Sequence, residues 1–505
     1  MKLFELKKGE QIVKFWRIFL LLFFITFNST NSRSEQVDKK KCFSWFFGDG
    51  DDTGVGQPCN QKVDTSCSIC EQEKEHIDFV SEKTEESFLK LVGVEKIDPE
   101  KKLPKIAFCF SGGGYRAMVS SLGFMLGAQD VGLLDAASYI SVLSGSSWML
   151  ANFLIRKHFQ NIDWPKFREI AQKRAAIDFW DIDTFDTENF GNKITNVFSY
   201  RKKVEPADLW GAILSDRLFG DIFLAQDITF SHLCELFNKK LFDGPFPLFS
   251  LTITDVFPYE WFEVNPFITG SDYLGSYIPT SMFDSSFKSG VCVEKFNEKS
   301  IGWFLALFGS AYNVSFADTL ILLAKETNND SLLNIFFDVI NQFNIYERRF
   351  LTSPVYNFSW NLQGSPLKKE RLFEVSDAGM AFNLPFPPLF KEGRQVDIIF
   401  VCDASTSVFS KGYPELHYAQ AYMKRKGLKF PPLKNPKKIS NHFAIFEDEN
   451  DKTVPMIIYF SNPIKISTGV LTYPKETFDN ICDSMKNLLI NNKEIIVDSI
   501  KRKID

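Results

Sequence analysis

The sequence predicts an α/β fold, and three observations carry that expectation. A wholly apolar run, Ile106 to Phe110, has the length of a buried strand and breaks at Ser111, Gly112, Gly113 and Gly114. A second run, Tyr139 to Leu143, breaks at Ser144 and Gly145. Helical stretches follow both, from about Arg116 to Leu133 and from Trp148 to about His158. Strand, turn and helix repeated in that order is the pattern of a parallel sheet with crossover helices.

The length, 505 residues, allows about three domains of ordinary size or one large α/β domain. With 45% apolar and 24% charged residues the chain can bury a sizeable core and is neither disordered nor fibrous. A formal net charge of -5 provides no global field to hold a polyanion, which argues against nucleic acid as a partner. The 53 phenylalanines follow a general bias and carry no function by themselves.

Taken in order, residues 1–32 read as a signal peptide or signal anchor. Lys2, Lys7, Lys8, Lys14 and Arg17 precede an apolar run from Ile18 to Phe27, and polar residues follow. Ten apolar residues fall short of the about 20 that span a bilayer. Residues 33–79 form a polar segment holding Cys42, Cys59, Cys67 and Cys70, which in a secreted chain would form two disulfides, with a four-cysteine zinc site as the rival. The other five cysteines read as small core residues. Sequons at Asn28, Asn313, Asn329 and Asn357 support secretion only together with the signal. Asp49, Asp51 and Thr53 imitate the start of a calcium loop, but Asn60 stands at the twelfth position, so an acidic turn is the better reading. From about residue 80 to 505 the composition is that of a globular enzyme core.

The chemistry concentrates at the two turns. Glycines between a strand and a helix let the backbone approach a ligand, and the first N–H groups of the helix are left to face negative charge. A P-loop would need Lys followed by Ser or Thr at the helix start, where Tyr115 and Arg116 stand instead. A serine at a tight strand-to-helix turn presents its hydroxyl as a nucleophile elbow does, although the same position suits a helix N-cap. The two turns together make an acyl-transfer site the stronger reading.

At these residues the sequence resembles a known family. Ser111-Gly-Gly-Gly-Tyr-Arg-Ala117, Leu143-Ser-Gly-Ser-Ser-Trp148 and Asp377-Ala-Gly-Met-Ala-Phe-Asn-Leu-Pro-Phe-Pro387 are similar to the catalytic domain shared by cytosolic phospholipase A2 and the fungal lysophospholipases. The Trp261 and Phe262 region and Lys426-Gly-Leu-Lys-Phe-Pro-Pro432 extend the resemblance over roughly residues 80 to 500, and Phe-Asn-Leu-Pro-Phe-Pro leans toward the cytosolic branch. The resemblance implies a three-layer α/β domain with a central, mostly parallel sheet, a patatin-like elbow, and a cap or lid over about residues 160–370. It implies a Ser144–Asp377 dyad without histidine, an oxyanion hole from the Gly113 and Gly114 amides, and Arg116 on the substrate phosphate. No cofactor or metal is implied.

Two departures stand out. Val142 replaces the first glycine of the family's elbow, and Ala378 follows the aspartate where Ser or Gly is usual. They leave open a lipid-binding relative without turnover. An ordinary hydrolase triad is a third reading, with Ser144, then Asp377 or Asp403, then His417 or His442 in chain order. Ser141, Ser146 and Ser147 are alternative nucleophiles. Lys424, Arg425, Lys426, Lys429, Lys434, Lys437 and Lys438 form the densest basic cluster, either a contact for anionic lipid at about 1 kcal/mol per charge or a solvated face. The expected partners are a phospholipid or lysophospholipid substrate and a membrane surface, without a calcium-binding lipid module.

Overall fold

The computed structural model describes residues 56–96, 102–179, 206–222, 228–310, 353–409, 412–434 and 436–504. The apolar run at Ile18, the acidic turn at Asp49, Cys42, and the sequons at Asn28, Asn313 and Asn329 lie outside these residues.

A two-residue strand, β1 (Gln57–Pro58), precedes a long helix, α1 (Glu71–Val92), which runs through the junction expected at residues 79/80. The strand–turn–helix repeat follows: β2 (Ile106–Phe110), α2 (Gly114–Val131), β3 (Ala137–Val142) and α3 (Ser144–Gln160). Next come α4 (Trp164–Ala175), α5 (Pro206–Phe219) and α6 (Phe230–Asn238). A run of strands takes over with β4 (Phe246–Ile253), β5 (Glu260–Val264), β6 (Ile268–Ser271), β7 (Ser276–Pro279), β8 (Ser286–Lys288) and β9 (Val291–Lys295). Helix α7 (Ile301–Phe308), β10 (Ser353–Tyr356), β11 (Leu372–Asp377) and β12 (Ile398–Asp403) lead to α8 (Pro414–Arg425). The chain closes with β13 (Lys437–Ser440), β14 (Phe443–Phe446), β15 (Met456–Ser461), α9 (Lys475–Ile490) and α10 (Lys493–Ile504).

One large sheet has the order β13-β14-β15-β12-β2-β3-β4-β5-β6-β7, with β11 joining at β4 and β10 beyond it. Its centre, β15-β12-β2-β3-β4, is parallel, and both flanks are antiparallel. All residues of β2, β3, β4, β12 and β15 are buried, which is why these strands read as continuous apolar runs rather than alternating ones. Helix α2 packs against α9, where Gly123 and Gly127 let it approach the Cys482 and Lys486 carbonyls. Within the stretch expected as a cap, β4 to β7 belong to this central sheet.

The polar segment is bound into the fold. Strand β1 pairs with β9, and Glu73 of α1 receives Arg394 Nε at 2.8 Å while Glu263 of β5 receives the same guanidinium at 2.6 Å, all three buried. The expected disulfides are not formed among the described residues: Cys59, Cys67 and Cys70 are free thiols. Strand pairing turns Cys59 toward Cys292 of β9 instead of toward its sequence neighbours. Asn357 is buried and donates to the Leu367 and Glu370 carbonyls, so its sequon is not presented for glycosylation.

Candidate active site

Register explains how residues 233 positions apart come together. On one edge of β4, Val142 at the end of β3 pairs with Phe249, and Asp377 at the end of β11 pairs with Leu251. The two strands run in opposite directions along that edge and meet end to end, because β3 is parallel and β11 antiparallel to β4. Asp377 therefore stands two strand positions, roughly 7 Å, past Val142. Ser144, two residues past Val142, turns off at the same level.

Ser144 opens α3 with φ 51°, left-handed backbone that costs a non-glycine residue on the order of 1–3 kcal/mol. Such strain is the mark of an elbow that aims a side chain. Val142 does not prevent it: the residue is buried in register between Phe110 and Phe249, and the turn begins after it. Gly145 is packed directly on the Gly114 carbonyl, with no room for a Cβ, which locks the elbow to the glycine loop. A Cβ at Gly112 would stand 2.7 Å from Ser144 Cβ and 2.6 Å from Asn383 Oδ1. In the loop, Gly113 has φ 139° and Gly114 φ 58°, so both positions favour glycine.

Asp377 is fully buried. Its Oδ1 accepts from Gly379 N at 2.8 Å, and its own N–H donates to Ser310 Oγ at 3.0 Å. Ser310, just past α7, also pairs with Ser376 Oγ at 2.9 Å, and α7 is pinned to α3 by Trp148 Nε1 donating to the Leu305 carbonyl.

Two of the neighbouring serines are hydrogen-bonded elsewhere and the third, Ser147, has a buried hydroxyl without a hydrogen-bond partner. Ser141 Oγ donates to the Pro385 carbonyl, Ser146 Oγ contacts the Phe110 and Leu143 carbonyls, and Ser147 is fully buried. Neither histidine of the triad reading reaches Ser144. His442 sits on the β13–β14 hairpin against Ser461 Oγ, four strands or roughly 19 Å from β3. His417 is exposed on α8. Asp403 is buried below the loop and bonded to Ser405 and Tyr459.

Arg116 lies beneath the glycine loop rather than open to it. Its guanidinium is buried, with Nε donating to the Ala404 carbonyl at 2.6 Å, Nη1 to the Ile466 carbonyl and Nη2 to Thr468 Oγ1 at 3.0 Å. Sequence reasoning missed Asn383, which brackets Gly112 by accepting from its N–H at 3.2 Å and donating to its carbonyl at 3.3 Å. Its place inside the Phe-Asn-Leu-Pro motif was the available signal.

The lysophospholipase catalytic domain matches residues 106–422, more than half of the chain. The chain belongs to that family. It is 21% identical over 545 residues to cytosolic phospholipase A2 zeta of Mus musculus, covering 86% of this chain and 62% of the relative. It is 24% identical over 433 residues to cytosolic phospholipase A2 delta of Mus musculus, covering 72% of this chain and 50% of the relative. The phospholipase-family chain described here thus spans 50% to 62% of the length of these curated relatives. Its fold matches human GIVD cytosolic phospholipase A2 with a TM-score of 0.70 at 18% identity, over 88% of this chain and 68% of that one. The complex of the human protein with methyl gamma-linolenyl fluorophosphonate matches with a TM-score of 0.67 at 18% identity, over 89% and 66%.

Membership in this phospholipase family corrects the expected location. Both curated relatives are cytosolic phospholipases by name, which overturns entry into the secretory pathway, and among the described residues the free thiols and the buried Asn357 lend it no support. Among the described residues no helix is long and apolar enough to cross a membrane. The basic cluster is exposed but partly neutralised: Lys426 pairs with Glu260 at 2.8 Å, Arg425 with the same carboxylate at 3.4 Å, and Lys429 with Asp451 at 2.7 Å.

Proposed function

We propose that this phospholipase-family chain hydrolyses fatty-acyl esters of glycerophospholipids or lysophospholipids through a Ser144–Asp377 dyad. The observation that carries the reading is the end-to-end meeting of β3 and β11 on β4, with the strained Ser144 at one end and the buried Asp377 at the other. Asp377 takes the proton as Ser144 Oγ attacks the ester carbonyl, and the Gly113 and Gly114 amides hold the developing oxyanion. Collapse of the tetrahedral species breaks the ester C–O bond, and Asp377 returns the proton to the leaving alcohol. Water then attacks the acyl-enzyme by the same route and releases the fatty acid.

Arg116 meets the headgroup phosphate in this reading once the Ile466–Thr468 strap releases it, since a planar guanidinium suits a phosphate fork. The test is fatty-acid release from lysophospholipid and phospholipid vesicles, run beside a neutral aryl ester. Ser144→Ala should abolish release with an unchanged melting curve. Arg116→Ala should slow the phospholipid reactions and spare the aryl ester. Equal loss on both substrates with lower melting would assign Arg116 to loop support alone, and near wild-type release by Ser144→Ala would sink the dyad.

A further inference from the structure

Below the glycine loop runs a chain of short oxygen contacts that the dyad does not use. Asp403 Oδ1 lies 2.5 Å from Ser405 Oγ, Ser405 Oγ lies 2.8 Å from Ser407 Oγ, and Ser407 Oγ lies 2.8 Å from Glu415 Oε1. Glu415 Oε2 accepts from the Asn383 N–H at 2.6 Å, and Asn383 in turn brackets Gly112. Asp403 is also held by Tyr459 Oη donating to Oδ2 at 2.7 Å, by Ser405 N donating to Oδ1 at 2.9 Å and by the Ser111 side chain.

Counting hydrogens along this chain decides its protonation. Three oxygen-to-oxygen links need three bridging hydrogens. A serine hydroxyl carries one hydrogen, so Ser405 and Ser407 supply two, and an ionised carboxylate supplies none. With both acids ionised, one link would set two lone pairs against each other at hydrogen-bond distance. We infer that Asp403 and Glu415 share a single proton through Ser405 and Ser407, and that this protonated pair, through Asn383, holds the Gly112–Gly114 loop in place. The acids are thus positioning residues and touch no substrate.

The surroundings agree with this. Burial raises Asp403 against the lowering effect of its hydroxyl and amide donors, and burial together with the nearby Asp403 charge raises Glu415. The titratable groups facing Asp403 are Tyr459 from β15, Cys109 from β2 and its strand neighbour Cys402, while Tyr413, just before α8, faces Tyr459. Arg116, beneath the same loop, donates to the Ala404 carbonyl, next to Asp403 in sequence. Two acids joined in this way titrate as a pair, and the shared proton leaves as pH rises.

The loop-holding half of the inference rests on the esterase reading, while the proton itself does not. pH-difference infrared spectroscopy of the full chain reads the proton without any turnover. A protonated-carboxyl band should be present at neutral pH and absent from Glu415→Gln and from Asp403→Asn; its absence from the wild type overturns the shared proton. Kinetics with a soluble lysophospholipid read the loop. Glu415→Gln reproduces the protonated acid, with its carbonyl facing Asn383 N and its amide donating to Ser407. It should keep the neutral-pH kcat and lose the alkaline decline expected of the wild type. Glu415→Ala should lower kcat about tenfold to a hundredfold with KM within about twofold, the cost of a misplaced catalytic loop. An unchanged kcat in Glu415→Ala, or an alkaline decline retained in Glu415→Gln, overturns the loop role. A wild type with the band but no turnover would overturn the esterase reading and the loop role with it, and would leave the shared proton standing.

Discussion

Ser144 occupies left-handed backbone that its side chain disfavours. Compensation comes from Gly145 packed on Gly114 and from Ser146 bonded back to the Phe110 and Leu143 carbonyls. The proposed pairing of a strained serine with a buried aspartate predicts an uneven mutational response. Asp377→Asn should lower kcat by about a thousandfold or more, the usual result of removing one member of a catalytic unit. His417→Ala and His442→Ala should leave it within a fewfold, read by the same fatty-acid assay. The residues that the sequence made legible are those whose type is forced locally: glycines at positive φ and a serine at a turn. The partners of Arg116 and Asn383 were illegible, because they lie far along the chain, and the contacts within 403–415 were illegible because they depend on how that loop folds. Three oxygens from residues 404, 466 and 468 close around Arg116, so the phosphate role proposed for it requires that some of these contacts release.

Between elements, β4 does the organising. It receives β3 on one half of an edge and β11 on the other, so the proposed nucleophile and its proposed base are set by strand register rather than by loop conformation. The repeated strand, turn and helix were legible because a strand buried on both faces has no polar alternation to confuse it. The antiparallel flanks were not, since β5 to β7 are short and lie in a Phe-rich stretch that reads equally well as a cap. Helix α1 escaped for a different reason: its polar sequence is fastened by Glu73, and the value of that residue depends on Arg394 more than 300 positions away. Arg394→Met would strand two buried carboxylates, Glu73 and Glu263. It should cost at least about 3–5 kcal/mol, seen as a lower urea midpoint. A midpoint within experimental error of the wild type would show that α1 is held by apolar packing alone.

Over the whole molecule, charge is nearly balanced, and the exposed basic cluster is partly consumed by Glu260 and Asp451. Lys424, Lys434, Lys437 and Lys438 are exposed and have no ion-pair partner among the described residues, and Lys437 and Lys438 stand side by side on the edge strand β13. Lys437→Glu with Lys438→Glu should weaken sedimentation with anionic vesicles by about tenfold or more at low salt, at about 1 kcal/mol per charge, and leave neutral vesicles unaffected. Equal binding to both vesicle types by the wild type would make the cluster a solvated face. The dyad itself is tested most directly by treating the protein with an alkyl fluorophosphonate and mapping the adduct by peptide mass. The expected result is one adduct, on Ser144, formed far more slowly in Asp377→Asn and not at all in Ser144→Ala. An adduct on Ser141, Ser146 or Ser147, or none at all from a protein that releases fatty acid, would contradict it.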